Sequence, residues 1–247
     1  MNFFSKLFST KGNSEPVDLS LLKTDVHSHL IPGIDDGSQS LDDSIAMLYK
    51  FKELGYKKVI TTPHIMSDQY RNTPEIIYAG LEVVRAELKR INLDIEIEAA
   101  AEYFFDETLF EKIKKKELMT FNGNHVLIEF SFFSMPQGEE NLFFELLTNG
   151  YQPVLAHFER YSFLHGSIEK AIEWRDKGIY IQMNLNSLSG HYGPEVKKQS
   201  EKLIQAGAID IVGTDCHRIE HLLLLEKQLS TSNFKKLFKL NFKNNQL

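Results

Sequence analysis

The chain has 247 residues, of which 42% are hydrophobic and 25% charged, and its formal net charge is −6. This balance is typical of a globular protein that buries a substantial core, and the single cysteine, Cys216, excludes an internal disulfide. The acidic charge argues against a general nucleic-acid binder, because such proteins carry a basic face. No apolar run reaches the roughly 20 residues of a membrane-spanning helix. We therefore expect a cytoplasmic protein without a nucleic-acid partner or a transmembrane segment.

Both ends of the chain differ in composition from the middle. The N-terminus, MNFFSKLF, lacks the long apolar region of a secretory signal; it could form a short amphipathic turn with weak membrane contact, although a frayed end is the simpler expectation. After Gln228, a solvated basic tail is predicted by Lys235, Lys236, Lys239 and Lys243. We divide the chain into an N-terminal extension (1–22), one folded domain (23–229) and a basic C-terminal tail (230–247).

Short apolar runs rich in β-branched residues alternate with helical patterns along the chain. The predicted strands cover 23–27, 57–62, 94–101, 125–130, 152–157, 179–184 and 209–214. The predicted helices cover 40–54, 74–91, 106–116, 139–149, 167–177, 193–206 and 219–229. Glycine tolerates the left-handed conformation that ends helices, and it stands between helix and strand at positions 55, 150, 178 and 207. Strict alternation of this kind predicts one α/β domain with a parallel sheet.

The count of strands leaves two architectures open. A closed or nearly closed barrel and an open doubly wound sheet both accommodate seven βα units. The dinucleotide-binding version of the open sheet is disfavoured, because no Gly-rich phosphate-binding sequence follows the first strand.

Six of the seven predicted strands end in residues that can bind metal ions. In chain order these are His27 and His29, His64, Glu102, Glu129, His157, and Asp215 with His217. The C-terminal ends of barrel strands meet at one mouth, and residues i and i+2 of a strand point to the same side. The histidine pair of the first strand can therefore aim at one point. The sixth strand ends instead in the neutral residues Asn184 and Asn186.

This set of residue types predicts a particular chemistry. Histidines with carboxylates suit Zn, Mn or Fe, and the share of carboxylates favours the harder ions. Two or more such ions would hold the attacking and leaving oxygens of a phosphoryl transfer, with a hydroxide between the ions as nucleophile. Glu129 lies in the apolar run VLIEF, where a buried carboxylate requires a metal ion or an arginine. Arg160 follows His157 at the same mouth and could bind a phosphate through two parallel hydrogen bonds.

Several other polar residues are expected to lie outside the site. Cys216 is flanked by two predicted ligands and should face away from them into the core. A structural or exposed position is expected for His125, His165, His191 and His221.

The segments DVHSHLIPGIDDG, TTPH, IEF, AHFER and GTDCH, together with Glu102, resemble in order the motifs of the PHP (polymerase and histidinol phosphatase) superfamily. Within it they are most similar to the bacterial manganese-dependent protein-tyrosine phosphatases of capsule and exopolysaccharide loci. The resemblance runs from about Lys23 to about Leu225, and GIDDG and AHFER narrow it to this group. It implies a distorted (β/α)7 TIM-like barrel of the PHP type that binds three divalent ions, Mn above all, with Fe or Zn as alternatives.

The resemblance also implies a role for each site residue. One ion would be bound by His27, His29, Glu102 and Asp215, and Glu102 would bridge to a second ion completed by Glu129 and His157. A third ion would be bound by Asp36, His64 and His217, and Arg160 would anchor the phosphate. The implied partner is the phosphotyrosine-bearing C-terminal tail of a membrane tyrosine autokinase that drives polysaccharide export.

One position departs from the family pattern. Members carry a second phosphate-binding arginine several residues after the DxH motif, whereas this chain offers only Arg218, directly after His217. Arg218 could take that role from a shifted position, His221 could replace it, or Arg160 and the metal ions could hold the phosphate alone.

Three other functions stand beside the tyrosine phosphatase. The first is a phosphatase for a small metabolite such as histidinol phosphate, and the second is a catalytically inactive binding module. The intact ligand set argues against the inactive module. The third, a nuclease, is disfavoured because the sequence shows no basic stripe.

Overall fold

The computed structural model describes residues 15–247 of the chain. The amphipathic turn considered for the first residues lies outside this range. Among residues 15–247, no helix combines the length and the apolar character needed to span a bilayer.

Parallel strands form a curled sheet around which the helices pack. The strands are β1 (Thr24–Asp25), β2 (Lys58–Thr61), β3 (His64–Ile65), β4 (Glu96–Ala99), β5 (Glu102–Phe104), β6 (His125–Glu129), β7 (Gln152–Leu155), β8 (Tyr180–Asn184) and β9 (Ile211–Gly213). The hydrogen-bonded orders are β1-β2-β4 and β3-β5-β6-β7-β8-β9. All paired strands run parallel, as the alternation of strands and helices predicts.

The second and third predicted strands, 57–62 and 94–101, are each followed by a short strand that lies beyond the predicted bounds. The second is divided into β2 and β3 at Thr62-Pro63, because proline has no N–H to donate to a sheet ladder. The third is divided into β4 and β5 at residues 100–101, and the chain stays in register because Glu102 N donates to the carbonyl of Pro63 at 3.1 Å. Seven of the nine strands lie within the predicted ranges, and β3 and β5 extend the second and third positions past them.

The last strand position returns to the first, which excludes the open doubly wound sheet. Beyond the named ends of β9 and β1, Cys216 and Ser28 form a parallel bridge. Asp215 N donates to His27 O at 2.8 Å, and His29 N donates to Cys216 O at 2.9 Å. The sheet therefore curls into the distorted, barrel-like form that the resemblance implies.

The helices are α1 (Leu41–Glu53), α2 (Pro74–Ile91), α3 (Leu109–Lys115), α4 (Glu139–Thr148), α5 (Glu169–Asp176), α6 (Pro194–Ala206), α7 (Ile219–Gln228) and α8 (Ser232–Leu237). Short 3-10 turns lie at Leu19–Leu21, Phe158–Arg160, Ser162–Leu164, Leu185–Ser189 and Lys243–Gln246. Side-chain caps start two of the long helices: Ser40 accepts from Asp43 N, and Thr73 precedes Pro74 and accepts from Ile76 N.

The apolar core has two parts. The larger part packs the helices against the sheet. The smaller part collects side chains from strand segments around the curl: Val26, Ile60, Ala100, Phe121, Leu127, Val154, Ala156 and Ile211. Strands around a curled sheet share its concave side, so this cluster fills the barrel and supports the mouth.

The C-terminal segment is not the solvated tail that its lysines predict, and that expectation is wrong. Helix α8 buries Phe234 and Leu237, and Asn244 in the last 3-10 turn is fully buried. Lys236 and Lys239 do stay exposed. Phe234 and Leu237 stand at i and i+3 and so lie on one face of α8. This spacing indicates a helix even though lysines surround it in the sequence.

Candidate metal centre

The donor atoms of four predicted ligands surround one point. The Nε2 atom of His27 lies 3.2 Å from Glu102 Oε2 and 3.4 Å from Asp215 Oδ1. The Nε2 atom of His29 lies 3.5 Å from each of the same two oxygens. Donor atoms about 2.1 Å from one shared ion lie about 3.0–3.5 Å apart in tetrahedral or octahedral geometry. The four atoms therefore have the spacing of ligands to one ion.

The other predicted ligands extend this group in two directions. His157 Nε2 lies 3.0 Å from Glu102 Oε1 and 3.5 Å from Glu129 Oε1. On the opposite side, Asp36 Oδ1 lies 3.5 Å from His64 Nε2 and 3.4 Å from His217 Nε2. His64 joins the two sides, because its Nδ1 lies 3.1 Å from Glu102 Oε2. The structure thus brings all nine predicted ligands into one continuous cluster.

Buried atoms in this cluster lack hydrogen-bond partners among the described residues. They include His27 Nε2, His29 Nε2, His64 Nδ1 and Glu102 Oε2. Leaving a buried polar atom unpaired costs about 1–3 kcal/mol, so native proteins rarely do so without a ligand. All four atoms belong to groups that bind divalent ions, and the donor set therefore fits metal ions.

The electrostatics at two of these ligands, Glu129 and His157, agree with this fit. Burial, together with repulsion from the Glu102 carboxylate, raises the pKa of Glu129 well above its ordinary value. Burial also lowers the pKa of His157 to about 4, which favours the neutral imidazole that binds metals. A divalent cation between these groups would relieve the repulsion between the two carboxylates.

The backbone at two of these residues is strained. Asp215 has a φ of 51° and His157 a φ of 29°, in the left-handed region that residues other than glycine rarely adopt. Such conformations cost on the order of 1–3 kcal/mol each and concentrate at functional sites. At Gly213 a Cβ atom would lie 2.7 Å from His27 Cβ and 2.9 Å from Gln182 Nε2, so only glycine fits under the cluster.

Sequence reasoning missed the carboxylate that orients His29. Asp35 Oδ2 lies 2.8 Å from His29 Nδ1, and its Oδ1 accepts from Gly37 N at 3.0 Å. Burial opposes ionisation, but the neighbouring His29 lowers the pKa of Asp35 to about 2. A carboxylate behind a histidine fixes the tautomer in which Nε2 is free to bind a metal ion. The segment GIDDG contains two consecutive aspartates, Asp35 and Asp36, and only Asp36 was given a role, as a metal ligand.

Sequence reasoning also missed the role of β8, the strand that ends in neutral residues. Gln182 Oε1 lies 3.2 Å from His27 Nδ1 and accepts from His157 N at 2.7 Å. Gln182 Nε2 donates to Asn184 Oδ1 at 2.9 Å, and Asn184 Nδ2 donates to Asp215 Oδ2 at 2.7 Å. This pair of buried amides therefore contacts ligands that come from three other strand ends.

Arg160 lies at the same mouth, as predicted. Its Nη1 donates to Asp215 Oδ2 at 3.1 Å. Its guanidinium carbon lies 4.2 Å from the ring centre of Phe132 and 4.5 Å from that of Tyr192. Two aromatic rings therefore hold the cation in one orientation beside the ligand cluster.

A cavity of about 240 Å³ opens at the cluster. Besides the ligands, it is lined by Phe132, Arg160, His191, Tyr192, Arg218 and His221. His191 is exposed and His221 is buried, as expected, yet both line this cavity. His191 lies in the loop between the 3-10 turn after β8 and α6, and His221 lies in α7. Arg218 is exposed at the rim of the cavity.

The other residues expected outside the site do lie apart from it. His125 packs against Phe121 and Tyr180, and His165 Nε2 lies 2.9 Å from Glu159 O. Cys216 is buried with its Sγ 3.5 Å from Met47 Sδ, as expected for a packing residue.

The curled parallel sheet, with imidazoles and carboxylates clustered at its mouth, defines a barrel of the PHP class. The model of the family described as "Capsular polysaccharide synthesis, CpsB/CapC" matches residues 23–230. The chain belongs to this family.

Named relatives and solved structures agree with that assignment. The chain is 29% identical to the tyrosine-protein phosphatase YwqE of Bacillus subtilis (strain 168) over 216 residues, 84% of this chain and 85% of the relative. It is 29% identical to the tyrosine-protein phosphatase CpsB of Streptococcus pneumoniae over 202 residues, 79% and 83% of the two chains.

One similar solved structure comes from a study of YwqE and CpsB, which are described there as unique metal-dependent tyrosine phosphatases. It matches this chain with a TM-score of 0.75 at 26% identity. It covers 89% of this chain and 96% of the other. A histidinol phosphate phosphatase from Lactococcus lactis, complexed with zinc, L-histidinol and phosphate, matches with a TM-score of 0.55 at 14% identity. That match covers 89% and 95% of the two chains and shows the shared fold.

Proposed function

We propose that this chain is a metal-dependent protein-tyrosine phosphatase. The observation that carries the proposal is the meeting, at one mouth, of unpartnered imidazole and carboxylate atoms with the guanidinium of Arg160. Imidazoles and carboxylates bind divalent ions, and a guanidinium binds phosphate oxygens. The relatives named tyrosine-protein phosphatases support the same chemistry.

The proposal includes three divalent ions, Mn²⁺ before Fe or Zn. The first would be held by His27, His29, Glu102 and Asp215, the second by Glu102, Glu129 and His157, and the third by Asp36, His64 and His217. Separations of 3.0–3.5 Å between donor atoms within each group support this distribution. When bound, the ions would activate a water molecule and offset the charge of the phosphoryl group.

The chain's own residues would orient the phosphate ester. Arg160 is held between two rings and turned toward the cluster, so its orientation is set before the substrate arrives. We assign the second phosphate contact to Arg218, whose exposed side chain lines the same cavity. His221 is less suited, because its Nε2 atom is shielded from solvent.

The form of the mouth favours an aromatic ester carried by a protein chain. Phe132 and Tyr192 line the cavity with aromatic side chains, and Phe133, next to Phe132 in the chain, is 85% exposed. The proposed substrate is a phosphotyrosine in the C-terminal tail of a membrane tyrosine autokinase. That substrate would place the enzyme in the cytoplasm.

Phosphate release from three substrates tests the proposal: a phosphotyrosine peptide, the matching phosphoserine peptide and histidinol phosphate, each with Mn²⁺. We expect the phosphotyrosine peptide to have the highest kcat/KM, by about a hundredfold over phosphoserine, because aromatic side chains line the cavity beside the cluster. Higher kcat/KM for histidinol phosphate would contradict the tyrosine assignment. Absence of turnover of all three by metal-loaded protein would favour the inactive binding module.

A further inference from the structure

The junction between β1 and β9 differs from the other strand junctions of the barrel. We call it the seam and define it by Thr24–His29 on one side and Val212–Cys216 on the other. Backbone ladders join the other neighbouring strand positions. At the seam, backbone bonds occur only near the mouth, between residues 27–29 and 215–216. Below that level, side chains connect the two strands.

The middle of the seam is bridged by Asp25. Its Oδ1 accepts from Thr214 N at 2.8 Å, and its Oδ2 accepts from Thr214 Oγ1 at 3.0 Å. A side-chain carboxylate thus takes the place of the backbone carbonyl that a regular parallel ladder would supply.

The far end of the seam is bridged by Asn244, from the C-terminal segment. Its Nδ2 donates to Thr24 O at 3.1 Å and to Val212 O at 2.7 Å. Its Oδ1 accepts from Val212 N at 3.0 Å. The amide is fully buried and bonds to both strands as a short piece of sheet would. Close by, Leu247 O accepts from Thr24 Oγ1 at 3.0 Å and Lys243 N donates to Asp210 O at 2.9 Å.

The residues held by Asn244 lie directly below the metal ligands. Thr24 is three residues before His27, and Val212 is three residues before Asp215. These two ligands come from opposite sides of the seam, yet their donor atoms are 3.4 Å apart. The second proposed ion does not depend on this junction in the same way, since Glu102, Glu129 and His157 come from strand positions joined by backbone ladders. Of the third ion's ligands, Asp36 follows β1 and His217 follows β9.

We propose that Asn244 is a positioning residue for the metal centre: its amide sets the spacing of β1 and β9, and thereby the affinity for the ion that His27, His29, Glu102 and Asp215 would share. The inference rests on the proposed metal sites. It gives Asn244, in the C-terminal 3-10 turn, a role in metal binding at the mouth.

Metal retention by the full-length protein tests the inference. Asn244→Ala removes all three amide hydrogen bonds, and Asn245→Ala changes the exposed neighbour in the same turn. Mn²⁺-loaded proteins are dialysed against increasing chelator, and the bound metal per chain is measured at a temperature where circular dichroism shows each protein folded. We expect Asn244→Ala to lose one class of Mn²⁺ about tenfold more readily than wild type, the low end of effects from residues behind the ligands. Asn245→Ala should match wild type.

A second variant keeps the inference testable if Asn244→Ala does not fold. Asn244→Asp keeps the size of the side chain and one acceptor but cannot donate to Thr24 O and Val212 O. Equal metal retention in wild type and the folded Asn244 variant would overturn the inference while leaving the proposed function intact. Failure of both variants to fold even with Mn²⁺ would also overturn it, since Asn244 would then be a folding determinant alone. A wild type that binds no metal would instead refute the proposed function.

Discussion

The two ends of the barrel differ in whether their buried polar groups have hydrogen-bond partners among the described residues. At the mouth, His27 Nε2, His29 Nε2 and Glu102 Oε2 are buried without hydrogen-bond partners among the described residues. At the far end, Asn244 is equally buried, and both its Nδ2 and its Oδ1 are hydrogen-bonded within the chain. Complete pairing indicates a group that stabilises the fold, whereas unpaired donors and acceptors that converge indicate a place for a ligand. Substitutions at the mouth should therefore affect activity far more than folding.

The largest effect is expected from Glu102→Gln. Both oxygens of Glu102 face other ligands, so the substitution removes the charge that would bridge two ions. We expect kcat/KM for a phosphotyrosine peptide to fall by about a thousandfold or more, because the metal ions would supply the main part of the catalysis.

Glu107→Gln is the matched control for this prediction, because Glu107 is an exposed carboxylate five residues further along the chain. Its kcat/KM should equal that of wild type. Full activity of Glu102→Gln would remove Glu102 from the metal scheme.

A smaller effect is expected from Arg160→Lys. Lysine keeps the charge but cannot form two parallel hydrogen bonds or stack between the rings of Phe132 and Tyr192. We expect kcat/KM to fall by about a hundredfold, roughly the effect of two charge-assisted hydrogen bonds. Metal content, measured by elemental analysis, should stay unchanged. A loss of metal from this variant would show instead that Arg160 acts through its bond to Asp215.

The smallest effect is expected from Gln182→Ala, which removes the amide beside His27 Nδ1 and His157 N. The substitution leaves both ligands in place but frees their orientation, so Mn²⁺ affinity should fall about tenfold. Chelator competition measures this change. Gln205→Ala on the exposed face of α6 should leave the affinity unaltered. If Gln182→Ala also retains wild-type affinity, β8 has a packing role only.

The mouth was more predictable from the sequence than the far end, for a physical reason. His27 with His29 and Asp215 with His217 stand at i, i+2 spacing after apolar strands, and parallel strands bring such ends together. Which ligands share an ion came from the resemblance alone, because spacing along the chain does not determine which donor atoms meet.

Other features of the fold and the site could not be predicted from the sequence. The strands β3 and β5 are two and three residues long, too short for an alternation pattern. The amides of Gln182 and Asn184 are neutral, and their partners lie up to 155 residues away in the chain. Asn244 stands among lysines and polar residues that are typical of a solvated end, and only the fold brings it between Thr24 and Val212.

A crystal structure of the Mn²⁺-loaded protein, with diffraction data collected at the manganese absorption edge, would show whether the clustered imidazoles and carboxylates bind metal ions. We expect anomalous density about 2.0–2.3 Å from His27 Nε2, His29 Nε2, Glu102 and Asp215, with further peaks beside His157 and His217. Anomalous density confined to other parts of the surface, with these side chains free of metal, would contradict the proposed metal sites.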